Sequence, residues 1–196
     1  LRPVLLPVTP IGQEASPNVA ADFNGDGLLD MATSNTSSSS VSIVLGNGNG
    51  SFQPQQQVAV GSSPHGLVLV DVEGDADFDL VSASEGGDDL RILTNNNLGV
   101  FAVTSTFNSG GDGEYPLQAG DMNGDGLLDL VVGTMYDQRI RILANMGNGT
   151  FQQSSSTAAG GRVWKIGLGG LHGGAALAGA AANGATNNGA ILLGNG

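Results

Sequence analysis

Apolar and polar residues alternate along the chain in short runs, as in LLDMATS (28–34), VSIVLG (41–46), FQPQQQVAV (52–60) and HGLVLVD (65–71). Period-two alternation over such lengths predicts β-strands. No segment carries the 3.6-residue period of an amphipathic helix. The Asn-Gly and Gly-Asn pairs at Gly46 to Gly50 and Gly147 to Gly149 supply the positive φ that tight hairpins demand.

The pattern recurs. DFNGDGLLDMATS, DVEGDADFDLVSA and DMNGDGLLDLVVG begin at Asp22, Asp71 and Asp121, 49 and 50 residues apart. A second marker follows each: LGNGNGSF ending at Phe52, LTNNNLGVF at Phe101 and LANMGNGTF at Phe151, with LLGNG opening a fourth copy at the C-terminus. Four periods of 49 account for all 196 residues. Repeats of ~40–50 residues with four strands each predict an all-β propeller of four-stranded antiparallel blades, a packing that hides sheet edges. The alternative is a linear β-solenoid array. Residues 1–196 are read as one propeller domain or part of one, with a degenerate fourth repeat at about 160–196.

The phase of the repeat adds a further expectation. A blade that runs from the strand before the acidic loop to the strand after the Phe marker leaves the fourth copy short of its outer strand at Gly196. Val4 to Val8 hold the place that Gln57 to Val60 hold later, so this N-terminal strand is expected to complete the last blade, within one chain or between two copies.

The acidic loops at 22–30, 71–79 and 121–129 carry the chemistry. Side-chain oxygens fall at positions one, three, five and nine: Asp22, Asn24, Asp26 and Asp30; Asp71, Glu73, Asp75 and Asp79; Asp121, Asn123, Asp125 and Asp129. The seventh residues, Leu28, Asp77 and Leu127, would add a backbone carbonyl. Alternating oxygens in a glycine-bent loop can curl around one hard cation. Six to eight oxygens at flexible geometry favour calcium over magnesium, which demands a tight octahedron and keeps its waters. An EF-hand would need a bidentate Glu at position twelve, where Thr33, Ser82 and Val132 stand instead. The competing reading is a set of Asx turns between strands. Three recurrences at one spacing make calcium the expectation in all three loops. In loop two, Glu73 replaces Asn24 and Ala76 replaces Gly27. The fourth copy, IGLGGLHGGAALAGAAANG from Ile166, has no carboxylate, and His172 alone suits a hard cation poorly, so no metal is expected there.

Charge fits this picture. Eighteen Asp plus Glu face six Lys plus Arg, a formal net charge of -12, and eleven of the eighteen acids lie in the three loops. Nucleic acid and anionic membrane surfaces are not the expected partners, because both are held by clustered cations. Without Cys there is no disulfide or zinc-thiolate staple. LRPVLLPVTP lacks a leading Met and resembles no signal peptide, so the chain is read as mature or excised. The charge-free run from Ile166 to Gly196 is broken by Asn183, Asn187, Asn188 and many Gly, and does not fit a membrane span.

The loops and the GNGxF marker resemble the FG-GAP or VCBS repeats of integrin α-subunit propellers and many secreted bacterial proteins. DFNGDGLLD and DMNGDGLLD match closely, DVEGDADFD is a variant, and the fourth copy departs at its ligands. The resemblance implies a propeller with calcium in the loop between a blade's first two strands, in an extracellular or periplasmic setting. Such propellers usually have seven blades. Four repeats suggest a small closed ring, half of a two-chain ring, or a fragment.

Catalysis finds no signature. His65 and His172 are the only histidines, and neither sits in a nucleophile or hydrolase motif, so no enzyme is expected. Glu85, Asp88 and Asp89 read as a solvated turn rather than a carboxylate pair. The polar loops SEGGDD, SGGDGEYP and GTMYDQR are suited to binding an extracellular protein or glycan, with a structural scaffold role as the alternative and a polysaccharide-processing propeller as the second. Tyr115, Tyr136 and Trp164 are the only Tyr and Trp residues, too few for an aromatic platform in every blade, and each is expected to pack. Of three sequons, those at Asn49 and Asn148 coincide with hairpin turns, and that at Asn35 is expected in an exposed flexible loop.

Overall fold

The computed structural model describes residues 8–169, 177–184, 186 and 188–193. Strands β1 (Ala15–Ala21), β2 (Asp30–Asn35), β3 (Ser40–Val44) and β4 (Gln56–Ala59) form the first antiparallel sheet in sequence order. β5 (Pro64–Val70), β6 (Asp79–Ser84), β7 (Asp89–Asn95) and β8 (Phe101–Phe107) form the second. β9 (Glu114–Gly120), β10 (Asp129–Thr134), β11 (Arg139–Asn145) and β12 (Phe151–Ala158) form the third. The fourth contains β13 (Val163–Gly169), β14 (Ala178–Asn183) and β15 (Asn188–Leu193). Each sheet is a blade. The inner strands β1, β5, β9 and β13 line one central cavity, so the chain is a four-blade β-propeller and not a linear array. The expected N-terminal strand at Val4 to Val8 falls mainly outside the described residues, and so does the loop containing His172.

The core lies between blades. Phe23, Ile43, Leu67, Leu80 and Phe101 bind blade one to blade two, with Phe23 and Phe101 edge-to-face at 5.2 Å. Val68, Val81, Leu90, Leu117, Leu130 and Val132 join blades two and three. Met122, Val131, Ile140, Val163 and Ile166 join blades three and four. Successive residues such as Leu67 and Val68, or Leu80 and Val81, face opposite seams because side chains alternate along a strand. Strands β6 and β10 therefore bury every residue. Fully burying a Val, Leu or Ile contributes about 1.5–3 kcal/mol, so these middle strands anchor the fold.

Two repeating details are invisible in the strand pattern. Just before each inner strand stands a glycine, Gly12, Gly61, Gly111 or Gly161, where a Cβ would lie within 2.6 Å of Asn35, Ser84, Thr134 or Thr186. Close approach of backbone to the end of the neighbouring strand requires the missing side chain. Each inner strand then carries a β-bulge, with the register shifting across Ala15/Asn18, Pro64/Gly66, Val132/Thr134 opposite β9, and Val163/Lys165.

The third-to-fourth-strand hairpins form as expected. Asn49 and Asn148 accept hydrogen bonds from the backbone and hydroxyl of Ser51 and Thr150, which accounts for those sequons as turns. The third sequon is corrected. Asn35 ends β2 fully buried and donates to Ser40 and Ser42, because the polar stretch after it makes a short turn between two buried strands. A glycan there would require unfolding the blade.

Candidate functional site

The cavity has two rims, at opposite ends of the inner strands. At one rim each acidic loop joins a blade's first two strands. Asp22 accepts from the backbone N–H of Gly25 at 2.8 Å and Gly27 at 2.7 Å, and Asp121 accepts likewise from Gly124 and Gly126. These donors hold the Asp22 and Asp121 carboxyls below the usual carboxylate range, led by the Gly27 N–H for Asp22 and the Gly124 N–H for Asp121. The ninth residues behave differently. Asp30, Asp79 and Asp129 are buried, and each bridges two backbone donors: Phe23 and Gly46, Val72 and Asn95, Met122 and Asn145, all at 2.7–3.0 Å. Burial pushes Asp79 and Asp129 up, against the opposing pull of those donors.

The loops also staple blades together. Asn95 donates to the Phe23 carbonyl of the preceding blade, Asn145 reaches the Asp71 carbonyl, and the Gly149 N–H meets the Val72 carbonyl at 2.7 Å. Loop two keeps the same path although alanine stands where the other loops have their second glycine: Ala76 adopts φ +70°, the conformation Gly27 and Gly126 adopt at +82° and +89°.

Positions three and five stand at the solvent edge, and the ninth carboxylate closes the loop from below. Asp77, expected to offer only its backbone carbonyl, turns its carboxylate inward, where both oxygens are buried without a donor. Burial, then the neighbouring charges of Asp79 and Asp75, push it up to about 6. An orphaned carboxylate in a loop with four others, Asp71, Glu73, Asp75 and Asp79, is a place where a cation would be accommodated. The donors are all oxygen, which suits calcium over softer metals. Among the described residues, no three acidic or His side chains are already gathered as a metal cluster.

At the other rim the blades present different residues at one repeat phase. The four bulges carry Ser16 with Pro17, His65, Tyr115 with Pro116, and Trp164. A bulge re-aims the side chain it carries. His65 and Tyr115 stack at 4.2 Å between ring centroids, and Trp164 meets Tyr115 edge-on at 5.4 Å. The Trp164 ring lies against the backbone of Gly184, where no side chain would fit. The cavity beneath has a volume of 470 Å³.

The three polar loops singled out in the sequence converge here. Tyr136 donates to Glu85 at 2.8 Å across two blades, and the Gly113 N–H donates to Asp88 at 2.7 Å. Arg162 stands over the Tyr136 ring at 5.9 Å. The expectation of a solvated turn at Glu85, Asp88 and Asp89 is corrected: each carboxylate is partly buried and engaged, Asp89 with Arg91 at 3.0 Å. So is the expectation that the rings simply pack, since Tyr136 and Trp164 are 50% and 48% exposed. Burial lowers His65, outweighing the Glu85 and Glu14 charges, so at neutral pH its ring is uncharged. The aromatic cluster was missed because its members differ in identity; their common signal is a repeat phase, residues 16, 65, 115 and 164.

Inner strands around a cavity, blades joined by acidic loops and a recurring period of 49–50 residues define a repeat-built β-propeller. The model of the FG-GAP-like repeat matches three times, over residues 22–82, 71–132 and 121–178, and the chain belongs to that family. No curated protein sequence matches the chain. Among solved structures it is similar to the Vibrio cholerae biofilm matrix protein Bap1, at 19% identity and a TM-score of 0.60 over 91% of this chain and 27% of that one. A functionally unknown protein from Desulfotomaculum acetoxidans gives a TM-score of 0.71 at 12% identity, covering 94% of this chain and 56% of its own. An Agrocybe aegerita lectin that recognises non-reducing terminal N-acetylglucosamine gives 0.55 at 22% identity, covering 90% and 51%. At these identities the likeness is one of fold, and the chain spans less than two thirds of each of these structures.

Proposed function

We propose that the chain is a calcium-stabilised, extracellular, non-catalytic binding module that engages a protein or glycan through its aromatic rim. The observation that carries this reading is the division of labour between rims. Acidic side chains at one end tie each loop to its own blade, while the other end exposes rings on bulges above a cavity. Asp22, Asn24, Asp26 and Asp30, with the Leu28 carbonyl, would hold one ion, and the corresponding residues of loops two and three would hold the others. Calcium supplies charge neutralisation there: three ions would bring six positive charges to a formal net charge of -12. An extracellular setting agrees with this acidity and with the biofilm matrix protein among the structural neighbours, and no described helix is long and apolar enough to cross a membrane. The lectin neighbour supports recognition of a glycan.

Calorimetric unfolding with and without chelator tests the first half. An ion bound only by the folded state adds about 2.7 kcal/mol per site at a concentration 100 times its Kd, so chelation is expected to lower Tm markedly. An unchanged Tm would reduce the loops to turns. Binding of the whole chain to arrayed glycans and extracellular matrix proteins tests the second half. Retention is expected to vanish in Glu85→Gln with Tyr136→Ala while Tm holds, and retention that survives both changes would move the site elsewhere.

A further inference from the structure

Resting on that reading of the aromatic rim, we propose that the mouth of the central cavity is a binding site for a neutral pyranose, stacked on Trp164 beside Tyr115 and His65 with its hydroxyls turned to Glu85 and Asn18. Four observations point to this chemistry. The rings come from three different blades yet meet within 5.4 Å, which fixes a platform rather than a set of separate packing residues. Each stands on a β-bulge, the device that turns a strand side chain out of the ladder. Trp164 remains 48% exposed although Gly184 leaves its ring seated on backbone, so one part of the indole is held and the rest is open. The cavity, 470 Å³, falls within the ~300–1,000 Å³ of small-ligand sites.

Charge selects between ligand classes. A ring cluster beside a carboxylate could also hold an organic cation, since ring faces attract positive charge. Here Glu85 already accepts from Tyr136, Lys165 follows Trp164 on β13, and Arg162 stands just before that strand, over the Tyr136 ring. A second cation would meet those positive charges. A pyranose instead offers an apolar face of C–H groups to the rings and an edge of hydroxyls to the exposed Asn18 amide and Lys165 in the cavity lining, and to Glu85, 3.6 Å from His65. Burial keeps the His65 ring neutral, so it adds surface to the platform without adding charge.

Trp164 is the only tryptophan, so its fluorescence reports on this site alone. The full chain would be titrated with methyl β-glucopyranoside, methyl β-galactopyranoside and N-acetylglucosamine, and with tetramethylammonium chloride as the cation probe. A saturable fluorescence change with at least one sugar is expected, with saturation transfer by NMR confined to the ring protons of one sugar face. Tyr115→Ala should weaken the binding at least about tenfold, and Glu85→Gln, which keeps the shape of the side chain, should weaken it less. The NMR measurement needs no variant, so a misfolded Tyr115→Ala leaves the test intact. Saturation by tetramethylammonium alone, or sugar binding that leaves Trp164 fluorescence unchanged, overturns the proposal. If all three sugars fail while the chain still binds an arrayed matrix protein through this rim, the ligand class is wrong and the binding function stands; if array binding fails too, both fall.

Discussion

The two rims of the cavity are built by the same repeat and used in opposite ways. At the acidic rim the repeat says the same thing three times: Asp30, Asp79 and Asp129 are buried and make the same two backbone contacts. At the aromatic rim one backbone device, the bulge, recurs in every blade but carries Ser16, His65, Tyr115 and Trp164 in turn. Positions that tie a blade's loop to the end of its own third strand must satisfy identical donors, so their chemistry is fixed. Positions that face a shared cavity need only fit together, so each blade can contribute something different.

The largest expected effect tests the structural side of that contrast. Asp129→Ala leaves the N–H groups of Met122 and Asn145 buried without an acceptor and removes two charge-assisted hydrogen bonds, at a cost of about 3 kcal/mol. Urea unfolding in the presence of chelator isolates this from any loss of ion. A cost under about 1 kcal/mol would mean that the ninth carboxylate serves the ion and not the fold. A smaller change of opposite sign is expected at Ala76, which adopts a left-handed conformation without being glycine. Ala76→Gly should raise stability by up to about 1 kcal/mol in the same assay, because relief of the Cβ clash exceeds the added freedom of the unfolded chain. A loss would show that loop two is held by something other than its backbone path. The smallest effect belongs to the other rim: Tyr136→Phe removes only an exposed hydrogen bond to Glu85 and should leave the unfolding midpoint unmoved. A clear drop there would erase the distinction between the rims.

This difference also explains what could be read from the chain. The blades, the hairpins and the acidic loops were legible because repetition turns weak local signals into a strong one, as with Gly147 to Gly149 or the spacing of Asp22, Asp71 and Asp121. The aromatic platform was not, since no spacing rule joins a histidine, a tyrosine and a tryptophan. Bulges leave no mark in a period-two pattern beyond one extra residue, and Asn35 looked like loop because Ser and Thr follow it. Its burial depends on Ser40 and Ser42 returning in the neighbouring strand, a tertiary fact. Asp77 shows the limit within a motif that was recognised: position seven was assigned by its backbone, and the side chain went inward.

The staples between blades carry a consequence for how the molecule is made. The Phe23 carbonyl of blade one waits for the amide of Asn95, and the Val72 carbonyl of blade two for the N–H of Gly149, so the first two acidic loops are latched by residues more than seventy positions downstream. On a ribosome that delivers the N-terminus first, neither of these two blades gains its latch until its successor has emerged. These two latches favour an order of assembly, a ratchet in which the second and third sheets each lock the one before.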